Sequence, residues 1–430
     1  MKSNRVTTIG IILGVAMLLL GFFVWNFFKQ ETVALKVDEI EDIKGLGYSG
    51  QRKVVLNNKG DIFIAYRKKY QGKSEIFVAK VFREKKDWKI SGTAKPISTV
   101  GKGADQRVPS IAVDEKNNLH VVWYGAESES KEETNNRQIK YSQSIDDGKS
   151  WSEWKNIALV GGYEGEDYWQ EHPYILTKSE NELFVAWEGK DENNKKQQIK
   201  FSKSFDGGKS WSQWRNVRET LENTQSRPTM VREKPGRSGN GKLHLLAYSS
   251  FGNDDNKQQL VHAWSDDNGN SWSQWEMISD SSLDSRHLSA VIDRDEKIHV
   301  VWRSLNSKGK SQIMHRFLKE GQLSEAKIVA DSEKYQFFPN VSADARGNVF
   351  VTWMESETSS KLPNEDPTDG KIFLSKYDGE KFSKPVQISQ SETNLYPNLP
   401  ERVKNGIPPL LYESQSTSSD SFVLMLNVRK

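Results

Sequence analysis

The sequence predicts an all-β protein in which seven similar four-stranded sheets stand around a central axis. Two repeated patterns and the composition lead to this prediction. The octapeptide SIDDGKSW at 144–151 returns as SFDGGKSW at 204–211 and as SDDNGNSW at 265–272. A short apolar run that ends in an aromatic residue recurs at a similar spacing. The 430 residues include 14 Trp, 18 Phe and 13 Tyr, and aromatic residues favour strands. One sheet unit repeated at this spacing is typical of a seven-bladed β-propeller.

The apolar runs are the second strands of the repeated units. They are apolar nearly throughout, which indicates strands covered on both faces. An extended stretch and a polar turn precede most runs, and two further strands follow, so each unit is a four-stranded meander. The runs are at 62–66, 119–123, 183–187, 243–247, 298–302 and 349–353, with a weaker seventh at 407–412.

The seventh unit has only three strands before the sequence ends at Lys430. The run TVALKV at 32–37 has no partner of its own, and we expect it to supply the missing strand, so that no free edge remains at the closure. The propeller is therefore predicted over 32–430. Pro408 and Pro409 lie within the weak seventh run, where proline cannot donate to a sheet, so a six-bladed ring is the alternative.

The segment before the propeller has a different character. Residues 7–28, TTIGIILGVAMLLLGFFVWNFF, contain no charged residue. As a helix this run is about 33 Å long, enough to cross a bilayer core of about 30 Å. A cleaved signal peptide is the alternative, but its apolar part is usually shorter and a small-x-small site follows it. We expect a transmembrane anchor at 7–28, a cytoplasmic stub at 1–6, and a propeller outside the cytoplasm at a bacterial cell surface, with the cell membrane as a partner.

Composition excludes several classes of function. The sequence has no cysteine, so it has no disulfide framework, no thiolate metal site and no cysteine nucleophile. Its net charge of +3 gives no basic footprint for nucleic acid. The seven histidines show no metal-ligand spacing, and the sequence has neither a calcium-binding loop nor a phosphate-binding glycine loop. We therefore expect no metal, no cofactor and no nucleic-acid partner.

Every residue type in the octapeptide has a structural role. The aspartate can accept hydrogen bonds from backbone N–H groups within a tight turn, the glycine can supply a positive φ, and the tryptophan can bury its ring between blades. The motif Ser-x-Asp-x-Gly-x-Ser-Trp resembles the Asp-box, or bacterial neuraminidase repeat, of sialidase-like propellers. The resemblance implies that the boxes lie on the outer lower edge, away from the active face. The Asp-box residues of interest are Asp146, Trp151, Asp206, Trp211, Asp267 and Trp272.

A ligand site is expected where the loops of all blades meet around the axis. One loop set precedes the innermost strands and carries Arg107, His172, Arg227, Arg286 with His287, Phe338 and Tyr396; the other follows the apolar runs and includes Arg303. The loop GGYEGEDYWQEH at 161–172 adds Trp169 as a flat apolar platform. The candidate ligand-binding residues are Arg107, Trp169, His172, Arg227, Arg286, Arg303 and Tyr396.

Three functions stay open. A sialidase-like glycoside hydrolase is expected, by resemblance, to bind a sugar carboxylate with three arginines, here Arg107, Arg227 and Arg286. Arg107-Val108-Pro109 looks similar to the Arg-Ile-Pro motif of that family, but the loop after Tyr124 lacks the aspartate that the family uses as acid and base, so the catalytic residues are unassigned. The second function is recognition of a glycan or protein ligand without chemistry, which we favour. The third is a scaffold in a membrane-associated complex.

Overall fold

The computed structural model describes residues 32–429 apart from 42–43, 48–49, 93–94, 99–104, 127–136, 162–167, 221–222, 236–240, 251–256, 281, 360–366, 368, 391–392 and 416–421. These residues form seven sheets of four or five strands and no α-helix. The predicted seven-bladed all-β propeller is therefore confirmed, and the six-bladed alternative is wrong. In the part of the chain that the structure describes, no helix has the length and hydropathy to span a membrane. The predicted stub at 1–6 and anchor at 7–28 lie outside the described residues.

The strands follow the chain order blade by blade. β1 (Thr32–Glu39) precedes blade 1. The strands of blades 1 to 4 are β2 (Val54–Leu56), β3 (Ile62–Tyr70), β4 (Lys73–Glu84) and β5 (Asp87–Gly92); β6 (Gln106–Val113), β7 (Leu119–Gly125), β8 (Gln138–Ser144) and β9 (Lys155–Asn156); β10 (Gln170–Thr177), β11 (Leu183–Asp191), β12 (Asn194–Ser204) and β13 (Arg215–Asn216); and β14 (Gln225–Arg232), β15 (Leu243–Ser249), β16 (Gln259–Ser265) and β17 (Glu276–Met277).

The strands of blades 5 to 7 continue the pattern with two additions. β22 (Lys327–Ile328) forms a second pairing with the third strand of blade 5, and β28 (Arg402–Val403) pairs parallel with the innermost strand of blade 6. The strands are β18 (Ser285–Ile292), β19 (Ile298–Leu305), β20 (Ser311–Lys319), β21 (Gln322–Leu323) and β22 (Lys327–Ile328); β23 (Tyr335–Asp344), β24 (Val349–Ser356), β25 (Lys371–Tyr377) and β26 (Val386–Gln387); and β27 (Asn394–Asn398), β28 (Arg402–Val403), β29 (Leu410–Gln415) and β30 (Phe422–Arg429).

The N-terminal strand forms the outer edge of blade 7, whose strand order is β27, β29, β30 and β1. β1 runs antiparallel to β30, with Thr32 opposite Arg429. The Trp88 indole N–H of blade 1 donates to the Arg429 carbonyl at 3.0 Å, which joins the last blade to the first. Pro408 and Pro409 lie just before β29, so neither proline interrupts a ladder.

The core lies between the blades. The six strong apolar runs of the second strands are buried throughout, and their tryptophans Trp123, Trp187 and Trp353 are fully buried at 0% exposure. The Trp123 and Trp187 indoles each donate to a buried glutamine of the neighbouring innermost strand, Gln106 or Gln170, at 2.8 Å. Since a single sheet cannot cover both of its own faces, each blade depends on its two neighbours.

The three Asp-boxes form closely similar turns after the third strands of blades 2, 3 and 4. In the first box, the Ser150 N–H and hydroxyl donate to the Asp146 carboxylate at 2.9 and 2.5 Å, and the Ser144 hydroxyl donates at 2.8 Å. These hydrogen bonds favour the ionised carboxylate and lower the pKa of Asp146 to about 2. Although burial opposes the change, the equivalent bonds lower the pKa of Asp206 and Asp267 to about 2.

The tryptophan and glycine of each box contact the preceding blade. The Trp211 ring meets Tyr141 edge-on at 5.2 Å between centroids, and Trp272 meets Phe201 at 5.3 Å; Trp151 packs against the core between blades 1 and 2. Gly269 has φ of +78°, and a Cβ there would lie 2.3 Å from Phe201 Cε1. The glycine is thus required both by the turn and by the approach of the neighbouring ring, and the box acts as a structural joint.

The central channel is occupied by one short segment, Gly50–Lys53, which we call the hub segment. Gln51, Arg52 and Lys53 are buried at 0, 3 and 0% exposure, although all three are polar. The segment forms hydrogen bonds with residues in or beside each of the six other blades: Pro109, His172, Thr229, Ala290, Val341 and Leu399. The hub segment therefore connects the whole ring at its axis.

Candidate ligand-binding site

Six innermost strands share one irregularity near the face where they begin, which we call the upper face. In each, the register with the second strand shifts by a bulge. The first residue of the bulge has a positive φ of 47 to 55°, which is uncommon for residues other than glycine. Bulges re-aim side chains next to functional sites. The six bulge residues, which we call the collar, are Val108, His172, Arg227, His287, Phe338 and Tyr396.

The collar differs from the series proposed from sequence at two positions. Val108 and His287 are collar residues, whereas Arg107 and Arg286 each lie one position earlier, opposite Tyr124 and Arg303 on the second strands. The sequence analysis grouped residues from two structural positions. In blade 5 the proline that follows the other collar residues is replaced by Leu288, whereas in blade 2 Pro109 follows Val108 and Arg107 was chosen for its charge. Arg107, Arg227 and Arg286 therefore do not form an equivalent set.

One side of the collar is aromatic. The His287 and Phe338 rings stack at 4.8 Å between centroids, and Phe338 lies 4.9 Å from Tyr396. Phe338 and Tyr396 are buried at 4 and 2% exposure, so they form a wall rather than a free platform. Trp169 is half-buried beside the collar in blade 3, and its carbonyl accepts the Lys190 N–H.

Three arginines surround the partly buried His287. Arg286 Nε donates to both Asp284 oxygens at 2.9 and 3.0 Å, and Arg303 Nη2 lies 3.2 Å from the same carboxylate. Burial, and then Arg303, Arg227 and Arg286, lower the pKa of His287 well below its ordinary value. His287 is therefore neutral at pH 7. One carboxylate is shared between two guanidinium groups, and Arg227, whose Nε lies 3.8 Å from Glu188, adds a third positive charge.

A second cluster lies across the collar, around His172. His172 Nδ1 and Glu188 Oε1 are 2.8 Å apart, and the Arg227 backbone N–H donates to Glu188 Oε2. Burial alone would raise the pKa of Glu188, but His172 and Arg227 hold it below its ordinary value. Burial and Arg227 also lower the pKa of His172. At pH 7 the pair is thus a carboxylate that orients a neutral imidazole.

Tyr124 packs against this pair. Its ring lies 5.4 Å from the His172 ring, and burial followed by Glu171 raises the pKa of its hydroxyl, so the hydroxyl is protonated at pH 7. Arg107 lies near Tyr124 and pairs with Asp105 at 3.0 Å. An ionised glutamate, a histidine and a tyrosine hydroxyl in contact are groups that can exchange a proton with a substrate.

The same cluster contains the one trio of possible metal ligands found among the described residues. Glu171, His172 and Glu188 offer atoms within 4.8 Å of one another. However, Glu171 already pairs with Arg137 at 2.9 Å, and Glu188 accepts from His172 and Arg227. A cation would have to compete with these contacts, so the arrangement favours an organic ligand, and the absence of a metal stays a prediction.

Glu413, which follows the seventh apolar run, has a structural role, and two acidic loops fall outside the described residues. Glu413 accepts the N–H groups of Lys44 and Leu46 at 2.9 and 2.6 Å and holds the loop that leads to the hub segment. Residues 162–167 and 127–136, which include most acids of the two loops analysed above, are not among the described residues. The sequence analysis missed Gln51, Arg52 and Lys53; three polar residues directly before the apolar run Val54–Leu56 were the available signal.

Comparison with known proteins decides the family. Residues 117–399 match the model of the family described as BNR repeat-like domain, which is more than half of the chain. The protein belongs to the BNR repeat-like family. The predicted resemblance to Asp-box propellers is thereby confirmed. No curated protein matches the chain.

Solved structures similar to this BNR repeat-like protein include carbohydrate-active enzymes. An ulvan lyase, a polysaccharide lyase, has a TM-score of 0.60 at 12% identity and covers 91% of this chain and 95% of its own. A protein of unknown function from Dyadobacter fermentans has a TM-score of 0.53 at 13% identity and covers 80% of this chain and 99% of its own. A variant of the NanB sialidase from Streptococcus pneumoniae has a TM-score of 0.50 at 12% identity and covers 93% of this chain and 94% of its own. At these identities the likeness shows the fold alone.

Proposed function

We propose that the upper face of the propeller binds an acidic saccharide through its carboxylate or sulfate groups. The observation that carries this proposal is the gathering of Arg227, Arg286 and Arg303 around a neutral His287, with Asp284 shared by two of the three. Guanidinium groups match the geometry of carboxylate and sulfate oxygens. We call Arg227, Arg286, Arg303 and His287 the cup. Among the described residues, two carboxylates, Asp284 and Glu188, lie beside its three guanidinium groups, so we expect an anion that enters the cup to be favoured.

The neighbouring surfaces fit the body of a sugar. The half-buried rings of His287 and Trp169 are the accessible aromatic surfaces, one on each side of the collar, and the buried Phe338 supports the His287 ring from within. Sugar rings pack their apolar faces on aromatic side chains, and polar groups set the orientation. Two similar structures support the same class of ligand: a sialidase, and the ulvan lyase, which has been solved with -[GlcA(1-4)Rha3S]- bound.

Binding is tested with an ulvan oligosaccharide and the full-length protein in detergent by isothermal titration calorimetry. Arg286→Gln and Arg303→Gln each remove a charged contact worth about 1.5–3 kcal/mol, so we expect affinity to fall about 10- to 100-fold. Arg346→Gln, an exposed arginine near the other end of the channel, is the matched control and should bind like the parent. The proposal fails if a carboxyl-reduced and desulfated oligosaccharide binds equally well, or if the two cup variants match the control.

A second candidate function is cleavage of the bound saccharide. The observation that favours it is the His172–Glu188 pair in contact with Tyr124. A carboxylate on Nδ1 fixes the imidazole tautomer and leaves Nε2 as a base. Nε2 takes the proton next to a carboxylate that the arginines neutralise, the bond to the departing sugar oxygen breaks as a carbon–carbon double bond forms, and the Tyr124 hydroxyl donates a proton to that oxygen. We expect Tyr124→Phe to keep oligosaccharide affinity within a few-fold while abolishing turnover. Assays of ulvan depolymerisation and of fluorogenic sialoside hydrolysis decide the matter, and an inactive parent protein on both substrates removes this candidate.

We further propose that residues 7–28 anchor the propeller in a bacterial cell membrane, with residues 1–6 in the cytoplasm. The length and the lack of charge of that run support the proposal. β1 begins at Thr32, opposite Arg429, at the lower end of blade 7. The chain therefore enters the propeller from the lower face, and the cup would open away from the membrane. Protease protection of an N-terminal tag in intact cells tests this orientation, and cleavage of that tag from outside would refute it.

A further inference from the structure

The lower half of the channel contains a cavity that is separate from the cup. It has a volume of about 370 Å³ and lies between the lower ends of the innermost strands of blades 1 to 4 and the segment 400–402 that follows β27. Arg52 of the hub segment and Tyr174 of β10 both line it. The cup residues do not, so the two sites are distinct.

Two buried polar groups lie beside each other at the inner end of this cavity. Tyr174 is 1% exposed and Arg52 is 3% exposed. Neither the Tyr174 hydroxyl nor Arg52 Nε forms a well-aligned hydrogen bond among the described residues, although Arg52 is near enough to act on the pKa of Tyr174. Buried polar groups are nearly always hydrogen-bonded, so each such group requires an explanation. Burial raises the pKa of Tyr174 to about 12, which keeps its hydroxyl protonated at neutral pH.

The charge of Arg52 is also unbalanced. Its two terminal nitrogens donate only to carbonyl and amide oxygens, namely those of Asn340, Val341, Leu399 and Ala290. Among the described residues, no carboxylate lies within 4.0 Å of it, although buried charges are normally paired. The remaining Nε–H has no well-aligned acceptor in the part of the chain that the structure describes.

The rest of the lining is charged but largely paired. The cavity is lined by five basic and three acidic residues: Arg52, Lys178, Arg232, Lys234 and Arg402 against Glu115, Glu233 and Glu401. Lys178 pairs with Glu182 at 2.7 Å, Lys234 lies 3.6 Å from Glu296, and Arg402 lies 3.9 Å from Glu401. The positive charge at the inner end of the cavity therefore belongs to Arg52, beside the Tyr174 hydroxyl.

We propose that this lower channel cavity is a binding site for a small oxyanion such as sulfate or phosphate. The Tyr174 hydroxyl and Arg52 Nε–H donate to two of its oxygens, and its charge balances the Arg52 guanidinium at the axis of the ring. The site does not depend on the saccharide site, since it opens on the opposite face and uses other residues. An anion here joins the hub segment to blade 3.

Calorimetric titration with sodium sulfate and sodium phosphate tests the proposal, at an ionic strength held constant with sodium chloride. The Arg286→Gln protein serves as the background, so that the cup is weakened and the cavity is intact. We expect saturable binding that Tyr174→Phe in the same background weakens tenfold or more. Absence of saturable binding, or an unchanged affinity in the Tyr174→Phe protein, overturns the proposal.

A crystal soaked in selenate provides a second measurement that does not depend on the stability of variants. We expect an anomalous peak within hydrogen-bond distance of Tyr174 Oη and Arg52 Nε. Density for water alone in the cavity, or selenate only in the cup, contradicts the assignment. An acetate titration run in parallel shows whether a planar carboxylate replaces the tetrahedral anion.

Discussion

Replacement of Arg52 by methionine should destabilise the whole propeller, because this one side chain joins three blades at the axis. The Arg52 guanidinium donates to the Asn340 side chain and to the carbonyls of Val341, Leu399 and Ala290, at 3.1, 2.8, 3.1 and 2.5 Å. Methionine has a similar length and no donor, so the variant removes all four hydrogen bonds without leaving a large cavity.

The magnitude follows from opposing terms. Each hydrogen bond from a charged group contributes about 1.5–3 kcal/mol, but release of the buried guanidinium from its desolvation cost offsets much of the sum. Each buried oxygen that loses its donor costs about 1–3 kcal/mol, and after this offset we expect a net loss of about 3–5 kcal/mol. The entropy of unfolding is about 2.1 cal/mol/K per residue, or about 0.8 kcal/mol/K for about 400 residues, and the shift in Tm is the free-energy loss divided by this entropy. We therefore expect Tm to fall by about 4–6 °C.

Differential scanning calorimetry of the full-length protein in detergent measures this loss. The matched control is Arg346→Met, the same change at an exposed position in the turn between β23 and β24, for which we expect a shift within about 1 °C. If Arg52→Met melts together with Arg346→Met, the hydrogen bonds of Arg52 do not hold the ring, and the role assigned to the hub segment is wrong.

Three further predictions concern stability. Asp146→Ala removes the acceptor of Ser150 in the first Asp-box and should lower the free energy of unfolding in urea by about 1–3 kcal/mol. We expect the saccharide affinity measured by calorimetry to stay at the parent value. A matching loss of affinity would contradict a purely structural role of the box. Gly269→Ala places a Cβ 2.3 Å from Phe201 at a positive φ, so we expect a loss of at least 1 kcal/mol, and unchanged unfolding would refute the close-approach argument. Burial, and then His244, lower the pKa of His262 to about 3. Since an unfolded histidine binds a proton below about pH 6.5 and this folded one does not, His262 should lower the free energy of unfolding by up to about 1.4 kcal/mol per pH unit as the pH drops from 6.5 towards 3. His262→Gln should remove this contribution to the pH dependence, measured as unfolding midpoints between pH 6.5 and 3.

The repeat made the fold predictable. Runs such as 119–123 and 183–187 are apolar on both faces, and the only economical way to bury both faces of many thin sheets is to stack them around an axis. The octapeptide revealed a shared turn, and its aspartate and glycine have the contacts that their chemistry implies. The weak seventh unit was harder, because Pro408 and Pro409 look like a broken strand until β29 is seen to begin after them.

The site was less predictable for a geometric reason. Side chains alternate along a strand, so an error of one residue moves a side chain to the other face. Arg107 and Val108 are adjacent in sequence, yet only the bulge decides which of them enters the collar. The convergence of Arg303 with Arg227 and Arg286 depends on pairing between strands, and the hub segment depends on contacts across the whole ring. Neither the convergence of the arginines nor the contacts of the hub segment can be predicted from a local sequence pattern.

The hub segment also links stability to binding. Gln51 Nε2 donates to the His172 carbonyl at 3.5 Å, and Lys53 lies close enough to Arg227 for that arginine to lower its pKa. The collar residues His172 and Arg227 thus lie next to the hub segment, which the hydrogen bonds of Arg52 hold in place. We expect Arg52→Met to weaken binding of the ulvan oligosaccharide several-fold at 15 °C, where the protein is still folded, whereas Asp146→Ala, which also destabilises the fold, leaves binding unchanged. Equal affinities of the two variants in calorimetry would show that the cup keeps its shape without the hub.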